Sequence, residues 1–221
     1  MQLHDRTEAG RMLGEVLARR YAGREDVIVL ALPRGGVPVA YEVARRLHAP
    51  LDVFVVRKLG VPGHEELAMG AIASGGALIL NDEVIKALRV PQEEIDRVAD
   101  NERAELVRRE REYRDDRPAP GLDGRTVILI DDGLATGASM MAAVRAIEAQ
   151  KPRTLVVAVP VAAPQTYAEF QRQVDEMVCL MLPEPFYAVS AWYEDFSQTT
   201  DEEVRDLLAR AAHEDAVLHE A

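Results

Sequence analysis

The chain has 221 residues, of which 48% are hydrophobic and 29% charged, a balance typical of globular rather than membrane-embedded proteins. Its formal net charge of -12 argues against a broad nucleic-acid-binding surface, which would need clustered Lys and Arg. The length is typical of a single domain, which would span residues 1–221. The first residues lack the basic start and apolar run of a secretory signal, so we expect a cytoplasmic protein with no membrane partner.

The cysteine and histidine content favours neither disulfides nor a structural metal site. Cys179 is the single cysteine and lies in an apolar run, where a buried, unreactive thiol is expected. The five histidines are scattered without metal-ligand spacing, and a structural zinc site would need cysteine partners that are absent. Disulfides within the chain are therefore excluded.

The predicted elements alternate between helix and strand. Asp5 and Glu8 predict the start of an amphipathic helix that extends to Arg20, which we assign to packing rather than chemistry. Five apolar runs then predict strands, the first four buried on both faces, at residues 27–32, 51–56, 127–130, 155–161 and 177–182. Helices are predicted between them at residues 37–47, 139–149 and about 164–173. This alternation indicates an α/β fold with a parallel sheet, whose ligands lie beyond the carboxyl ends of the strands.

A charge-dense helix predicted at residues 92–114 interrupts the alternation, and we treat residues 91–116 as a helical insertion. Its charged side chains are expected to pair at i,i+4 spacing and face solvent. Four apolar residues are available to seat it on the body of the protein or on a second subunit of a homodimer: Ile95, Val98, Leu106 and Tyr113. Residues 115–124, with several Pro and Gly, predict a linker back into the sheet. Thr200 and Glu203 form a capping-box pattern for a last helix through about His213.

The strand predicted at residues 127–130 ends in Asp131 and Asp132, and a loop of small residues then leads into a helix. Backbone N–H groups of such a loop, with a helix N-terminus behind them, form a cradle for a phosphate. The loop residues are Ala135, Thr136, Gly137, Ala138 and Ser139. The two carboxylates can accept hydrogen bonds from neighbouring sugar hydroxyls, so the segment fits a ribose 5-phosphate. The alternative, a helix capped by Ser139 after exposed acids, would leave two unpaired carboxylates at a buried strand end.

Residues 127–139 resemble the signature of type I phosphoribosyltransferases, which has four apolar residues, two acidic residues and a small-residue loop with Thr-Gly. The resemblance implies the Rossmann-like, parallel-sheet fold of that family and binding of 5-phosphoribosyl 1-pyrophosphate (PRPP). Asp131 and Asp132 would then lie at the ribose 2- and 3-hydroxyls, with residues 135–139 around the 5-phosphate. It also implies Mg²⁺ carried by PRPP, with these two carboxylates as its candidate protein contacts. Gly133 departs from the family, which usually has an aliphatic residue or Ser there, and we expect it to loosen the loop.

Two further segments agree with this resemblance. Arg34, Gly35 and Gly36 follow the first strand and are similar to the pyrophosphate loop of the family, which presents backbone N–H groups and one cation to the leaving group. Arg57 and Lys58 close the second strand, where a basic residue of the family reaches the pyrophosphate; a solvated strand end is the alternative. Residues 59–76 are predicted to be a long loop that acts as a lid. They contain no Lys or Arg, unlike family members that close a basic loop over pyrophosphate.

The acceptor base is expected to bind after the fifth strand. Residues 183–199 carry nearly half of the aromatic residues of the chain and loosely resemble the small C-terminal hood of hypoxanthine-guanine phosphoribosyltransferases. This resemblance implies Phe186 over the base, with Trp192 as the alternative stacking residue, and Asp195 nearby. Packing of these aromatic residues in the core is the competing explanation. No Lys follows the strand at residues 155–161, where the purine enzymes place one, so purine is one option among nitrogenous bases.

The reaction that the resemblance implies is transfer of the phosphoribosyl group from PRPP to a nitrogenous base with release of pyrophosphate, as in nucleotide salvage. Arg34, Lys58 and Mg²⁺ would stabilise the leaving group electrostatically, while Asp131 and Asp132 would hold the sugar ring. One alternative is a noncatalytic PRPP-binding regulatory protein, which the lid without basic residues favours. Another is a hydrolase that uses water as the acceptor. The presence of all four charged residues favours the transferase.

Overall fold

A computed structural model describes residues 2–114 and 117–220 of the chain, without the side chains of residues 218–220. The strands are β1 (Val27–Ala31), β2 (Leu51–Val53), β3 (Val56–Val61), β4 (His64–Ala73), β5 (Ala77–Leu80), β6 (Thr126–Ile130), β7 (Thr154–Val161) and β8 (Glu176–Met181). The helices are α1 (Arg6–Tyr21), α2 (Gly36–Leu47), α3 (Asp82–Leu88), α4 (Gln92–Arg114), α5 (Ala138–Glu148), α6 (Pro164–Phe170) and α7 (Asp201–Glu220), with a 3-10 turn at Val189–Trp192. Within the described ranges no helix is both long and apolar enough to cross a membrane.

Five strands form a parallel sheet in the order β2-β1-β6-β7-β8. In β1, Val29 lies opposite Leu51 of β2 on one side and Ile128 of β6 on the other. Every residue of β1 and β6 is buried, because β-α connections place helices on both faces of a parallel sheet and such strands are apolar throughout. The predicted α/β class with a parallel sheet is confirmed.

The two faces of this sheet carry separate groups of buried side chains, because successive residues of a strand point to opposite faces. On one face Val29 of β1 packs with residues of α1, α2, α4 and α7. On the other face Leu30 packs with residues of α5 and α6. With both faces covered by helices, the carboxyl edge of the strands is where loops from different elements can meet.

Residues 59–61 and 64–73 form strands joined by a turn, so the prediction of a long loop at residues 59–76 was wrong. They belong to a three-stranded antiparallel sheet in the order β3-β4-β5, and Val56 begins this second sheet instead of extending β2. Gly63, with φ of +79°, lies in the turn between β3 and β4. The charged start of β4 and its internal Gly70 are typical of a loop rather than of a strand, which explains the error.

The other predicted elements are present with shifted ends. Helix α5 begins at Ala138 rather than Ser139, and α7 continues to Glu220 rather than ending near His213. The second sheet is followed by α3, which the sequence analysis missed and which has no buried residue. Residues 117–124 of the predicted linker contain no helix or strand. Residues 115 and 116 lie outside the described residues.

The charged helix α4 is seated on the body of the protein. Three of its four predicted contact residues, Ile95, Leu106 and Tyr113, are buried. At its C-terminal end Arg114 is 5% exposed and donates from Nε to both carboxylate oxygens of Asp52 at 2.9 Å. The sequence analysis left open whether these apolar residues contact the same chain or a second subunit. These three pack within this chain.

Candidate functional site

The loops after β1 and β6 meet at the carboxyl edge of the sheet. A Cβ atom added to Gly35 would lie 2.1 Å from Oδ2 of Asp132, and a Cβ atom added to Gly36 would lie 2.8 Å from the carbonyl oxygen of Ile130. Cβ atoms do not approach other heavy atoms so closely, so both positions require glycine in this arrangement. The structure therefore brings Gly35 and Gly36 directly against Asp131 and Asp132.

The two carboxyl groups at the tip of β6 lie in a water-poor environment. Burial raises the pKa of Asp131 well above its usual value, and the neighbouring Asp132 carboxylate raises it further. Burial also raises the pKa of Asp132, although the Arg6 guanidinium opposes the effect. Oδ1 of Asp131 accepts a hydrogen bond from the backbone N–H of Asp132 at 2.8 Å. Two adjacent carboxylates that are largely, but not fully, removed from water favour a ligand that offers them hydroxyl donors.

Asp132 is ion-paired with Arg6, which the sequence analysis placed on a helix assigned only to packing. Nε of Arg6 donates to Oδ2 of Asp132 at 2.8 Å, and the two side chains are 11% and 15% exposed. Nη1 of Arg6 donates to the carbonyl of Ser197 at 2.7 Å, and the guanidinium carbon lies 3.9 Å from the centre of the Phe196 ring. Helix α1 therefore contributes a cation to the site.

The loop between β6 and α5 turns at Gly137, whose φ is +73°. A Cβ at this position would lie 2.7 Å from Cε2 of Phe170. The hydroxyl of Thr166 in α6 donates to the carbonyl of Ala135 at 2.6 Å, which fixes the start of the loop. The exposed residues of the loop are Ala135, Thr136, Ala138 and Ser139. The first backbone N–H groups of α5 have no partner within the helix and are available to an anion, together with two hydroxyls.

The three cations expected near the pyrophosphate have different surroundings. Nη1 of Arg34 lies 3.6 Å from Oδ2 of Asp201, and its side chain is 35% exposed. Nε of Arg57 donates to Oε2 of Glu102 in α4 at 2.7 Å. Lys58 is exposed on β3, and among the described residues none forms an ion pair with it. Lys58 and Arg34 are therefore more available to a ligand than Arg57.

Residues 183–199 pack on the N-terminal segment of the chain. The backbone N–H of Leu3 donates to the carbonyl of Trp192 at 2.9 Å, and Leu3 forms a parallel bridge with Tyr193. Phe186 and Trp192 are half-buried against a cluster that includes Leu3 and Val161. Both predicted stacking residues therefore make core contacts on part of their surface.

Two polar side chains of this segment have different roles. The carboxylate of Asp195 is exposed and accepts the backbone N–H of Ser197 at 2.9 Å, a bond that lowers the pKa of Asp195. The hydroxyl of Tyr193 donates to the carbonyl of Asp132 at 2.6 Å. Tyr193, which the sequence analysis did not single out, therefore links this segment to the tip of β6.

Gly133 allows residues 189–192 to approach the loop after β6. A Cβ on Gly133 would lie 2.4 Å from Cγ1 and 2.8 Å from Cγ2 of Val189. The next residue, Leu134, donates its backbone N–H to the carbonyl of Val161 at 2.9 Å, which ties the loop to β7. The expectation that Gly133 loosens the loop is therefore replaced by a packing role.

We expect Gly133→Ala to lower the free energy of unfolding by about 1–3 kcal/mol, because the added methyl group overlaps the side chain of Val189. Val189→Ala removes both overlapping atoms, so the double variant should recover most of this loss. Denaturant unfolding of the two single variants and the double variant measures the coupling between the sites. Strictly additive changes would contradict the contact.

The carboxylates at the tip of β6 suit a metal that arrives with its ligand. No group of three or more His, Cys, Asp and Glu side chains placed to hold a metal ion occurs in the described part of the chain. One of the two carboxylates, Asp132, is already engaged by Arg6. Mg²⁺ commonly keeps several waters and takes one or two carboxylates together with substrate phosphates. This donor set therefore fits Mg²⁺ that is held mainly by phosphate oxygens of a ligand.

Comparisons with known proteins point to one family. A family model described as phosphoribosyl transferase domain matches residues 2–191. A Mycobacterium tuberculosis protein, whose name describes it provisionally as a phosphoribosyl transferase, is 46% identical over 207 residues, in both the CDC 1551 and the H37Rv strains. The match covers 94% of this chain and 46% of that protein, so the chain spans about half the length of the curated relatives it matches.

A solved structure of a similar chain has the same fold. The crystal structure of TT1426 from Thermus thermophilus is similar to this chain with a TM-score of 0.82 and 45% sequence identity. The similarity covers 95% of this chain and 99% of that chain. Because the family model covers most of the sequence and the parallel sheet presents its acidic strand tip to two glycine-containing loops, the chain belongs to the type I phosphoribosyltransferase family and has its fold.

Proposed function

We propose that the protein binds PRPP and transfers its phosphoribosyl group to a nitrogenous base, with release of pyrophosphate. The observation that carries this proposal is the meeting of two loops at the strand tips. Gly35 lies so close to the Asp132 carboxylate that a Cβ would overlap it, and the exposed loop of residues 135–139 follows on the same chain segment. Groups that suit a sugar diol, a phosphate and a pyrophosphate therefore lie around one edge of the sheet.

The sugar and its 5-phosphate are assigned to the segment after β6. Asp131 and Asp132 would accept hydrogen bonds from the 2- and 3-hydroxyls and stabilise the positive charge that develops on the ring. Burial of these carboxyl groups strengthens both effects, since electrostatic interactions are larger where water is excluded. The loop from Ala135 to Ser139 would surround the phosphate with backbone N–H groups and the hydroxyls of Thr136 and Ser139.

The leaving pyrophosphate is assigned to the loop after β1 and to the start of β3. The backbone N–H group of Gly35 and the side chains of Arg34 and Lys58 would bind its oxygens. The N–H group of Gly36 donates to the carbonyl of Leu32 at 3.1 Å, so Gly36 would contribute through close approach of its backbone rather than as a donor. Arg57 would need to exchange its ion pair with Glu102 before it could contribute. Mg²⁺, bound with PRPP, would supply further neutralisation of the departing negative charge.

The acceptor is assigned to the segment of residues 183–199, and its identity is left open as a nitrogenous heterocycle, with a purine as one choice. Val189 of this segment lies against Gly133, next to the sugar-binding carboxylates. A base held here would present its nitrogen to the anomeric carbon of the sugar. Phe186 and Trp192 are the candidates for stacking on the base through the surface that core packing leaves free, and Asp195 is the candidate for a polar contact.

Calorimetric titration with PRPP and Mg²⁺ tests the proposal. We expect the wild-type protein to bind and Asp131→Asn to lose at least about 100-fold in affinity, because the amide replaces a charge that is placed for the sugar diol. Asp123→Asn is the matched control, since Asp123 is an exposed carboxylate in the segment before β6. Equal affinity of all three proteins, or no binding by the wild type, would refute the proposal.

A noncatalytic PRPP-binding protein is the second candidate. It is favoured by the hairpin of β3 and β4, which carries no Lys or Arg between residues 59 and 76 and so offers no cation from its tip to the leaving group. Pyrophosphate release on addition of a panel of bases separates the two functions. Binding without release with any base supports the regulator, and ribose 5-phosphate formed without a base identifies a hydrolase.

A further inference from the structure

Arg6 directly contacts Asp132, one of the two carboxylates assigned to the sugar, and its position is fixed by three contacts. It donates to Oδ2 of Asp132 at 2.8 Å and to the carbonyl of Ser197 at 2.7 Å, and it lies over the ring of Phe196 at 3.9 Å. The guanidinium is planar and carries donors in a fixed fork, so these contacts define one orientation. Arg6 is therefore a rigid neighbour of Asp132 and not a mobile surface cation.

The ion pair determines how Asp132 is oriented. Oδ2 lies between Nε of Arg6 and the turn at Gly35, where a Cβ would be 2.1 Å away. Oδ1 takes no part in this ion pair. A carboxylate fixed through one oxygen presents the other in a defined direction, and a defined direction is what a hydrogen bond to a single hydroxyl of a sugar requires.

The main chain on either side of Arg6 is also held in place. Asp5 caps α1 by accepting the backbone N–H of Glu8 at 2.7 Å, and the backbone N–H of Asp195 donates to the carbonyl of His4 at 2.8 Å. Rotation of Arg6 away from Asp132 would thus leave its backbone where it is. Loss of the guanidinium would remove the constraint on Asp132 without removing the helix that carries it.

We propose that Arg6 is a positioning residue for sugar recognition, which fixes one oxygen of Asp132 so that the other meets a ribose hydroxyl, and thereby sets the preference for ribose over deoxyribose phosphates. This inference rests on the proposed function, because it requires that Asp132 binds the sugar. If Arg6 served only to join α1 to residues 196 and 197, replacing it would lower the affinity for all sugar phosphates by the same factor.

The test compares three probes by calorimetry: ribose 5-phosphate, 2-deoxyribose 5-phosphate and 3-deoxyribose 5-phosphate. We expect the wild type to prefer ribose 5-phosphate over the analogue that lacks the hydroxyl bound by Asp132 by about ten-fold or more, since hydrogen bonds to charged groups are among the stronger ones. In Arg6→Gln this preference should fall to about two-fold, with little change in affinity for that analogue. The other analogue should keep its disadvantage.

Two further variants keep the result interpretable. Arg6→Lys retains the charge, but a single ammonium cannot reproduce all three contacts, so we expect an intermediate preference for ribose 5-phosphate. If Arg6→Gln fails to fold, Arg6→Lys decides the test. Arg11→Gln is the matched control on the same helix, because Arg11 is 64% exposed and lies 3.5 Å from its ion-pair partner Glu42. It should keep the wild-type preference.

Failure of this inference and failure of the proposed function give different results. If every sugar phosphate weakens by the same factor in the Arg6 variants, or if the preference for ribose is unchanged, the inference is overturned while the proposed function stands. If the wild type binds none of the three probes and not PRPP, both are overturned. Selective loss of the ribose preference in the Arg6 variants alone supports the inference.

Discussion

Gly35→Ala should abolish PRPP binding while leaving the protein folded. The new Cβ would lie 2.1 Å from Oδ2 and 2.8 Å from Cγ of Asp132. The carboxylate cannot rotate aside freely because Arg6 holds the same oxygen. Either the turn after β1 or the Asp132 side chain must move, and both bind the ligand in the proposed function. Hydrogen bonds to charged groups contribute about 1.5–3 kcal/mol each, so loss of one or two of them should weaken binding by at least about 100-fold.

Gly121→Ala provides the control for this variant. A methyl group added to Gly121 would have no heavy atom within 4 Å, and Gly121 is not among the glycines with positive φ, so alanine should be tolerated there. Calorimetry with PRPP and Mg²⁺ measures affinity, and circular dichroism checks folding in each variant. We expect the unfolding free energy of Gly35→Ala to fall by about 1–3 kcal/mol, as for other overpacked positions. Affinity within two-fold of wild type would show that the turn can move aside.

The centre of the sheet could be predicted from sequence because burial leaves a strong local pattern. The strands β1, β6 and β7 are apolar at nearly every position, and the acidic pair follows the last residue of β6. The carboxyl ends of parallel strands meet at one edge, so the approach of the loops at Gly35 and Asp132 also follows from the pattern. The parallel topology therefore brings two of the three motifs, those after β1 and β6, together at one edge of the sheet.

The rest of the site depends on contacts between residues far apart in the chain. Arg6 and Asp132 are separated by 126 positions, and the periodicity of α1 reports only which face is apolar. A buried carboxylate pair does demand a nearby cation, but that argument cannot choose among the 26 Lys and Arg residues. The packing role of Gly133 likewise needs the position of Val189, which local sequence does not determine.

The β3–β4 hairpin was missed for a different reason. Its strands belong to a small sheet with a solvent-exposed end, where residues such as Glu65 and Glu66 are exposed. Strand propensity in such places is weak and depends on the neighbouring strands. The alternation expected of a half-buried strand is further broken by irregular pairing around Gly60. Glycine and charge therefore predicted a loop where pairing with neighbours makes a sheet.

Asp131→Asn should make the protein more stable while it removes ligand binding. Burial and the adjacent Asp132 raise the pKa of Asp131 above its usual value of 3.8, so the folded state binds this proton more tightly than the unfolded state does. The favourable contribution is complete below the usual pKa and is lost as pH rises through the raised one. At neutral pH, above the usual pKa, the acidic side chain therefore lowers stability relative to a neutral amide of the same shape.

Asparagine also keeps the oxygen that accepts the backbone N–H of Asp132. A gain of 1 kcal/mol raises the melting temperature by roughly 2–4 °C in a chain of this size. Thermal unfolding at pH 7 and at pH 4 should show a gain that shrinks as the pH falls, with Asp123→Asn unchanged. A variant less stable than wild type at pH 7 would disprove the argument. PRPP should raise the melting temperature of the wild type by more than that of Asp131→Asn at the same concentration, because stabilisation by a ligand follows its affinity and the variant is expected to bind at least about 100-fold more weakly.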